Sequence, residues 1–223
     1  TAIGSCSLKA NTTGTHNVAS GFTSLFANTE GCKNVANGYS ALGANTTGDN
    51  NVAVGCGSLG GNTTADNNTA VGFDSLKANT IGNLNQAFGA FSLQANTEGV
   101  RNTAIGSYGM YTNTTGSYNT SVGQSALYNN NADDNTAVGY LSLNANTSGV
   151  CNTAVGKSSL DASTTANQNT AIGMLSMTAT TSGIRNVAVG RQSMCANTTG
   201  CCNVAVGSNA LASGTTGDFN VAV

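Results

Sequence analysis

Small, aliphatic and polar positions return in one fixed order along the whole chain, once every seventeen residues. The phrase reads roughly N-[TV]-A-[VI]-G-x-x-S-[LM]-x-A-N-T-T-G-x-x, numbered below as positions 0 to 16. Its opening asparagine stands at Asn17, Asn34, Asn51, Asn68, Asn85, Asn102, Asn119, Asn135, Asn152, Asn169, Asn186, Asn203 and Asn220. One interval, Asn119 to Asn135, is sixteen residues long. A fixed short period gives every repeat the same neighbours one period away, which makes the chain quasi-one-dimensional. Helix-turn-helix repeats need about 34 residues, twice this period. The pattern therefore predicts an all-β fold, a parallel β-solenoid (β-roll or β-helix). Each repeat forms one 17-residue coil of two or three short strands, for about 13 coils.

Glycine marks the corners. Position 4 is Gly in every repeat, as in Gly55 and Gly72, and position 14 is Gly in most. Such recurrence calls for positive φ or for close backbone approach. Tolerance within the chain then gives side-chain direction. Position 2 is Ala everywhere except Ser121. Position 8 is always Leu or Met: Leu8, Leu25, Leu42, Leu59, Leu76, Leu93, Met110, Leu127, Leu143, Leu160, Met177, Met194 and Leu211. Position 10 is mostly Ala. Positions 2, 8 and 10 are read as the interior, and strand alternation turns positions 1 and 3 outward. The opposite register stays open at this stage. Asn at positions 0 and 11 should stack from coil to coil at about 4.8 Å and form amide ladders.

The uninterrupted period argues for a single continuous array over 1–223, a rod about 60 Å long at the inter-strand spacing. The chain opens after an anchor position and stops mid-phrase without polar caps, so it reads as a segment of a longer array. The missing residue falls near Asn129–Asp134 and should cause a local irregularity and not a domain boundary.

With positions 1 and 3 outward, an apolar stripe runs along the coil. Its candidate interface residues are Val52, Val54, Val71, Ile105, Val155, Val187, Val189, Val204 and Val206. A stripe of that length exceeds what a soluble monomer usually exposes, so another strand of the chain, further copies or a flat ligand should cover it. A three-fold bundle of parallel solenoids is the simplest such assembly.

Composition narrows the function. Charged residues are 7% and the net charge is −2, which excludes the clustered cations of a nucleic-acid surface. The 39% hydrophobic content in strict register argues against disorder. No run approaches the roughly 18 apolar residues of a membrane span. A catalytic pocket is disfavoured because a repeat does not converge different groups on one point, and His16 is the sole histidine available for a relay. No enzyme activity, cofactor or metal is expected. The seven cysteines show no C-x-x-C zinc pattern; only Cys195 with Cys201 or Cys202 is close enough in sequence to pair. Asn11, Asn45, Asn62, Asn67, Asn113, Asn119, Asn146 and Asn197 lie in N-x-[ST] sequons, although the N-T-T corner creates these automatically. Aromatics at positions 5 and 9, such as Phe22, Phe26, Tyr39, Phe73, Tyr111, Tyr128 and Tyr140, could contact sugars or simply vary at the surface.

Asn51-Val52-Ala53-Val54-Gly55 and Asn203-Val204-Ala205-Val206-Gly207 resemble the head repeat of YadA-type trimeric autotransporter adhesins and related phage and virus fibre repeats. The resemblance covers the whole chain but rests on one short motif. It implies a left-handed parallel β-roll within a trimer. The family repeat is shorter, near fourteen residues, and this chain adds an N-T-T-G corner. The expectation is an extracellular structural fibre or adhesin-like shaft, at a cell or virion surface, associating laterally or end to end. Its partners would be further copies and a surface glycan or host receptor. The alternative is an ice-binding solenoid with a flat Thr/Val face.

Overall fold

The structure is a computed structural model covering residues 1–223. It is an all-β parallel solenoid in which each repeat makes one coil. Contacts divide the chain into two units, Thr1–Thr115 and Gly116–Val223, described in turn.

The first unit carries β1 (Ala2–Ile3), β2 (Val18–Ser20), β3 (Val35–Asn37), β4 (Val52–Val54), β5 (Thr69–Val71), β6 (Gln86–Phe88) and β7 (Thr103–Ile105). From β1 to β7 each strand pairs in parallel with the following one, in a register of one repeat: Ala2, Ala19, Ala36, Ala53, Ala70, Ala87 and Ala104 lie in one row. The second unit carries β8 (Thr120–Val122), β9 (Thr136–Val138), β10 (Thr153–Val155), β11 (Thr170–Ile172), β12 (Val187–Val189), β13 (Val204–Val206) and β14 (Val221–Ala222). Its central row is Ser121, Ala137, Ala154, Ala171, Ala188, Ala205 and Ala222.

Each coil holds one strand of two or three residues, not the two or three strands expected from the phrase. The reason lies in the backbone after the strand. Residues at positions 6, 8 and 16 adopt left-handed φ near 48–61° in both units, as at Thr23, Leu25 and Lys33. Such residues break strand alternation. The S-L-x-A-N segment becomes two linked turns, closed by bonds such as Ser24 N–H to Gly21 O (3.4 Å) and Asn28 N–H to Leu25 O (3.3 Å). Coil-to-coil pairing nonetheless continues through the turns: Leu25 N–H reaches Ala41 O (3.0 Å) and Ala27 N–H reaches Gly43 O (3.0 Å).

This geometry corrects the interior. Position 8 is fully buried from Leu25 to Leu93 in the first unit and from Leu127 to Met177 in the second, where Met194 is 1% exposed. Met110 is also fully buried, and Leu8 and Leu211, in the first and last coils, are half-buried. Position 10 is not interior: Ala27, Ala44, Ala95, Ala145 and Ala162 are half-exposed and Ala78 is exposed. Position 7 fills the place instead. Ser24, Ala41, Ser58, Ser75 and Ser92 are fully buried, as are Ala126, Ser142, Ser159, Ser176 and Ser193. With positions 6 and 8 both left-handed, consecutive residues 7 and 8 both face inward, which a strand forbids.

The shortened repeat loses its residue within one corner of the second unit. Asn130 still donates to Ala132 O (2.8 Å), and Asn131 N–H is given to Thr147 O (3.3 Å). Asp133 and Asp134 then resume positions 15 and 16, and Asn135 the anchor. Asp133 accepts Ser117 N–H (2.7 Å) and Asp134 has φ 59°.

Candidate association surface

Two asparagine rows hold the coil edges and leave the strand face free. At position 0 each side chain works in two directions. Its Oδ1 accepts the backbone N–H of the next anchor: Asn34 to Asn17 (2.9 Å), Asn51 to Asn34 (2.8 Å), Asn68 to Asn51 (2.9 Å), Asn85 to Asn68 (2.8 Å) and Asn102 to Asn85 (3.0 Å). The second unit repeats this from Asn135 to Asn119 (2.9 Å) through Asn152, Asn169, Asn186 and Asn203 to Asn220 (2.9 Å). Its Nδ2 donates across its own coil to the carbonyl at position 14, as Asn51 does to Ala65 O (2.8 Å) and Asn186 to Gly200 O (2.8 Å). The anchors are buried except Asn220, in the last coil. Asn68 Nδ2 is buried without a partner.

Position 11 makes a true amide ladder in the first unit. Nδ2 of Asn28, Asn45, Asn62, Asn79, Asn96 and Asn113 each donates to Oδ1 of the preceding member at 2.7–3.0 Å. In the second unit Asn146 continues it to Asn130 (2.6 Å), but Ser163 and Thr180 interrupt it. Ser163 Oγ is buried without a partner. These roles remove most sequons from the surface: of the eight sequon asparagines only Asn67 is exposed, Asn11 is half-buried, and the rest are buried.

The corner after the ladder collects donors onto one oxygen. N–H of Thr12, Thr13 and Gly14 all point to Thr29 O at 3.0–3.2 Å, and Thr12 Oγ1 adds a bond of 2.9 Å. Position 15 supplies a cap missed in the sequence. Asp49 Oδ1 accepts Cys32 N–H (2.6 Å), Asp66 accepts Asp49 N–H (2.7 Å) and Asn83 accepts Asp66 N–H (2.6 Å). In the second unit Asn167 accepts Val150 N–H (2.7 Å) and Asp218 accepts Cys201 N–H (2.7 Å). The readable signal was the recurrence of Asp, Asn and Cys at that position, as at Asp49, Asp66, Asn83, Asn167 and Cys201.

The candidate interface residues lie on the outer side of the strand row. In the first unit Val54 and Ile105 are exposed, and Val52 and Val71 are half-buried. In the second, Val187 and Val206 are exposed, and Val155, Val189 and Val204 are half-buried. Val18, Val35, Phe88 and Ile172 extend the same face. Between strands β8 and β11, Thr120, Thr136, Thr153 and Thr170 stand in one register row, with Val122, Val138, Val155 and Ile172 beside them.

Reactive groups are dispersed. All seven cysteines are free thiols: Cys201 Sγ donates to Thr199 O (3.3 Å) and Cys195 Sγ to Ala212 O (3.5 Å). His16 is exposed at a corner beside Thr15 Oγ1 (3.0 Å). No three His, Cys, Asp or Glu residues gather as metal ligands would. The ion pair Lys77–Asp74 measures 2.9 Å. Burial holds the Asp161 carboxyl above its ordinary value. No helix is long and apolar enough to cross a membrane.

No family model matches this chain. No curated protein and no solved structure matches it either.

Proposed function

We propose that the chain is a structural element of an extracellular fibre, an adhesin-like shaft at a cell or virion surface. Its work is mechanical and not catalytic. The observation that carries this reading is the outer strand face, where valine and isoleucine recur at one repeat spacing while the edges are saturated by asparagine amides. A face of rigid, flat backbone with periodic apolar side chains suits association with an equally periodic surface. A second copy of the chain supplies one, and three parallel copies bury every stripe around a common axis. The resemblance to adhesin head repeats supports the same arrangement.

The test is charge placed on the face. Val187→Lys with Val206→Lys should leave the coil folded, because both side chains point to solvent. It should convert an oligomer to monomer in sedimentation velocity. An unchanged assembly would remove the face from the interface.

A second reading rests on the threonine row Thr120, Thr136, Thr153 and Thr170. Hydroxyls and methyls at the strand spacing of about 4.8 Å form a flat Thr/Val array of the kind that binds ice. Thermal hysteresis in a freezing assay would support it, and Thr153→Tyr should abolish that activity.

A further inference from the structure

The first unit carries a row of rings, exposed except for the half-buried Phe91, on the turns that follow β2, β3, β5, β6 and β7. Phe22 and Tyr39 stack, with centroids 5.7 Å apart and planes 13° from parallel. Farther along, Phe73 meets Phe91 edge-on (5.1 Å, 79°), and Phe91 stacks on Tyr108 (5.0 Å, 18°). One coil breaks the row. Where its neighbours carry Tyr39 and Phe73 at position 5, this coil has Cys56, and Gly57, Gly60 and Gly61 follow. The missing side chains leave a notch of about 650 Å³ lined by Tyr39, Phe73, Cys56, Gly57, Gly60 and Gly61, with Ser40, Asp74 and Lys77 also on its wall. Each aromatic wall is braced from behind, Tyr39 by Phe22 and Phe73 by Phe91. The inner face of Tyr39 is therefore held open towards the gap.

The floor is also shaped. Gly57 has φ 69°, and a Cβ there would collide with Asp74 Oδ1. Glycine thus lets the Asp74 carboxylate lean over the notch. Asp74 is 7% exposed and holds Lys77 Nζ at 2.9 Å. The result is an acceptor and a donor side by side with no net charge between them. A second groove of about 290 Å³ shares Ser40 and Gly60 and runs to Phe26, so the two form one trough.

We propose that this trough is a binding site for a neutral oligosaccharide. The walls stand two coils apart, about 9.6 Å at the strand spacing. A flat aromatic guest sandwiched at contact distance needs only about 7–8 Å between its flanking rings. The extra width fits a puckered pyranose ring, one C–H face of which lies against Tyr39 while Phe73, set edge-on to Phe91, closes the far side. The Asp74–Lys77 pair accepts from one hydroxyl and donates to its neighbour. A few placed polar groups in a mostly apolar concavity is the ordinary build of a small-molecule site. The smaller groove would hold a second sugar unit. This site lies on the turn and not on the strand face, so it is independent of whether copies associate there.

The test uses the full chain and a panel of neutral di- and trisaccharides built of glucose, galactose, mannose or N-acetylglucosamine. Saturation-transfer NMR and calorimetry should find at least one with a dissociation constant near ~1 mM or tighter. Cys56→Tyr restores the missing ring, fills the notch and should abolish binding. Cys56→Ala should leave binding intact. Tyr39→Ala and Phe73→Ala should each weaken it about tenfold. Circular dichroism identifies any variant that fails to fold. The proposal is overturned if no panel sugar binds saturably, or if binding survives Cys56→Tyr. Preference for choline or for phenol over every sugar would also overturn it, assigning the notch to a cation or to an aromatic side chain.

Discussion

At the residue scale the unusual feature is how much left-handed backbone the coil carries on residues that disfavour it. Leu59, Leu76 and Met110 each sit at φ 48°, a conformation that costs roughly 1–2 kcal/mol for an L-residue. Full burial of the side chain offsets it, since removing a core Leu costs about 2–5 kcal/mol. No such compensation exists at exposed position 16. Leu84 has φ 61° and is exposed, whereas the two preceding coils place Asn67 and Asn50 there. Leu84→Asn should therefore raise stability by about 0.5 kcal/mol, read as a shift of the urea midpoint. Position 4 is stricter. Gly21 has φ 131° and a Cβ there would stand 2.5 Å from Gly38 O, so Gly21→Ala should cost more than about 2 kcal/mol in the same assay. Asp161 gives a pH signature. Its folded pKa lies above the ordinary 3.8 because burial disfavours the charge. Between those two values the folded chain holds a proton that the unfolded chain has released, so stability falls as pH rises through that window. Asp161→Asn should melt higher than the parent at neutral pH, and the difference should vanish below the ordinary value.

At the element scale the asparagine rows decide how one coil holds the next. The position-11 ladder of the second unit has a defect at Ser163, whose hydroxyl is buried without a partner. Ser163→Asn would reach Asn146 Oδ1 and the Ala166 carbonyl, as its counterparts do, and should add about 1 kcal/mol. Ser163→Ala should also stabilise slightly by removing the unpaired group. Loss of stability in both variants, measured by thermal melting, would contradict the ladder as described. This element is also where the reach of the sequence is clearest. The period, the central alanine row and the position-8 column were legible because each follows from sterics repeated in nearly every coil, with Ser121 and the sixteen-residue interval as the departures. The serine at position 7 was missed although it is never larger than Ser in any repeat. Strand alternation does not hold through this segment, which turns at Thr23 and again at Leu25. Left-handed φ on Leu, Met and Thr has no compositional mark, unlike the glycine at position 4. The compensation at Ser121 was equally hidden: its hydroxyl bonds Ala126 O (2.9 Å) in a coil whose position 7 lacks the usual serine. The notch beside Cys56 leaves no mark in the sequence, because its walls come from positions 34 residues apart, Tyr39 and Phe73.

At the scale of the whole molecule, stability in such an array is a sum of similar coil terms and nearest-neighbour terms. Backbone groups are satisfied mainly one coil away, and the position-8 column supplies the apolar interior. That arrangement places periodic valines and isoleucines on the outer strand face, exposed or half-buried. The central claim is that further copies of the chain cover them. The most direct measurement is the mass of the purified chain by light scattering at micromolar concentration. A species of three times the 22.1 kDa chain is the expected result, reduced to single-chain mass by Val187→Lys with Val206→Lys. A chain that stays folded at 22.1 kDa across the accessible concentration range would contradict lateral association. It would leave the strand face to a flat ligand.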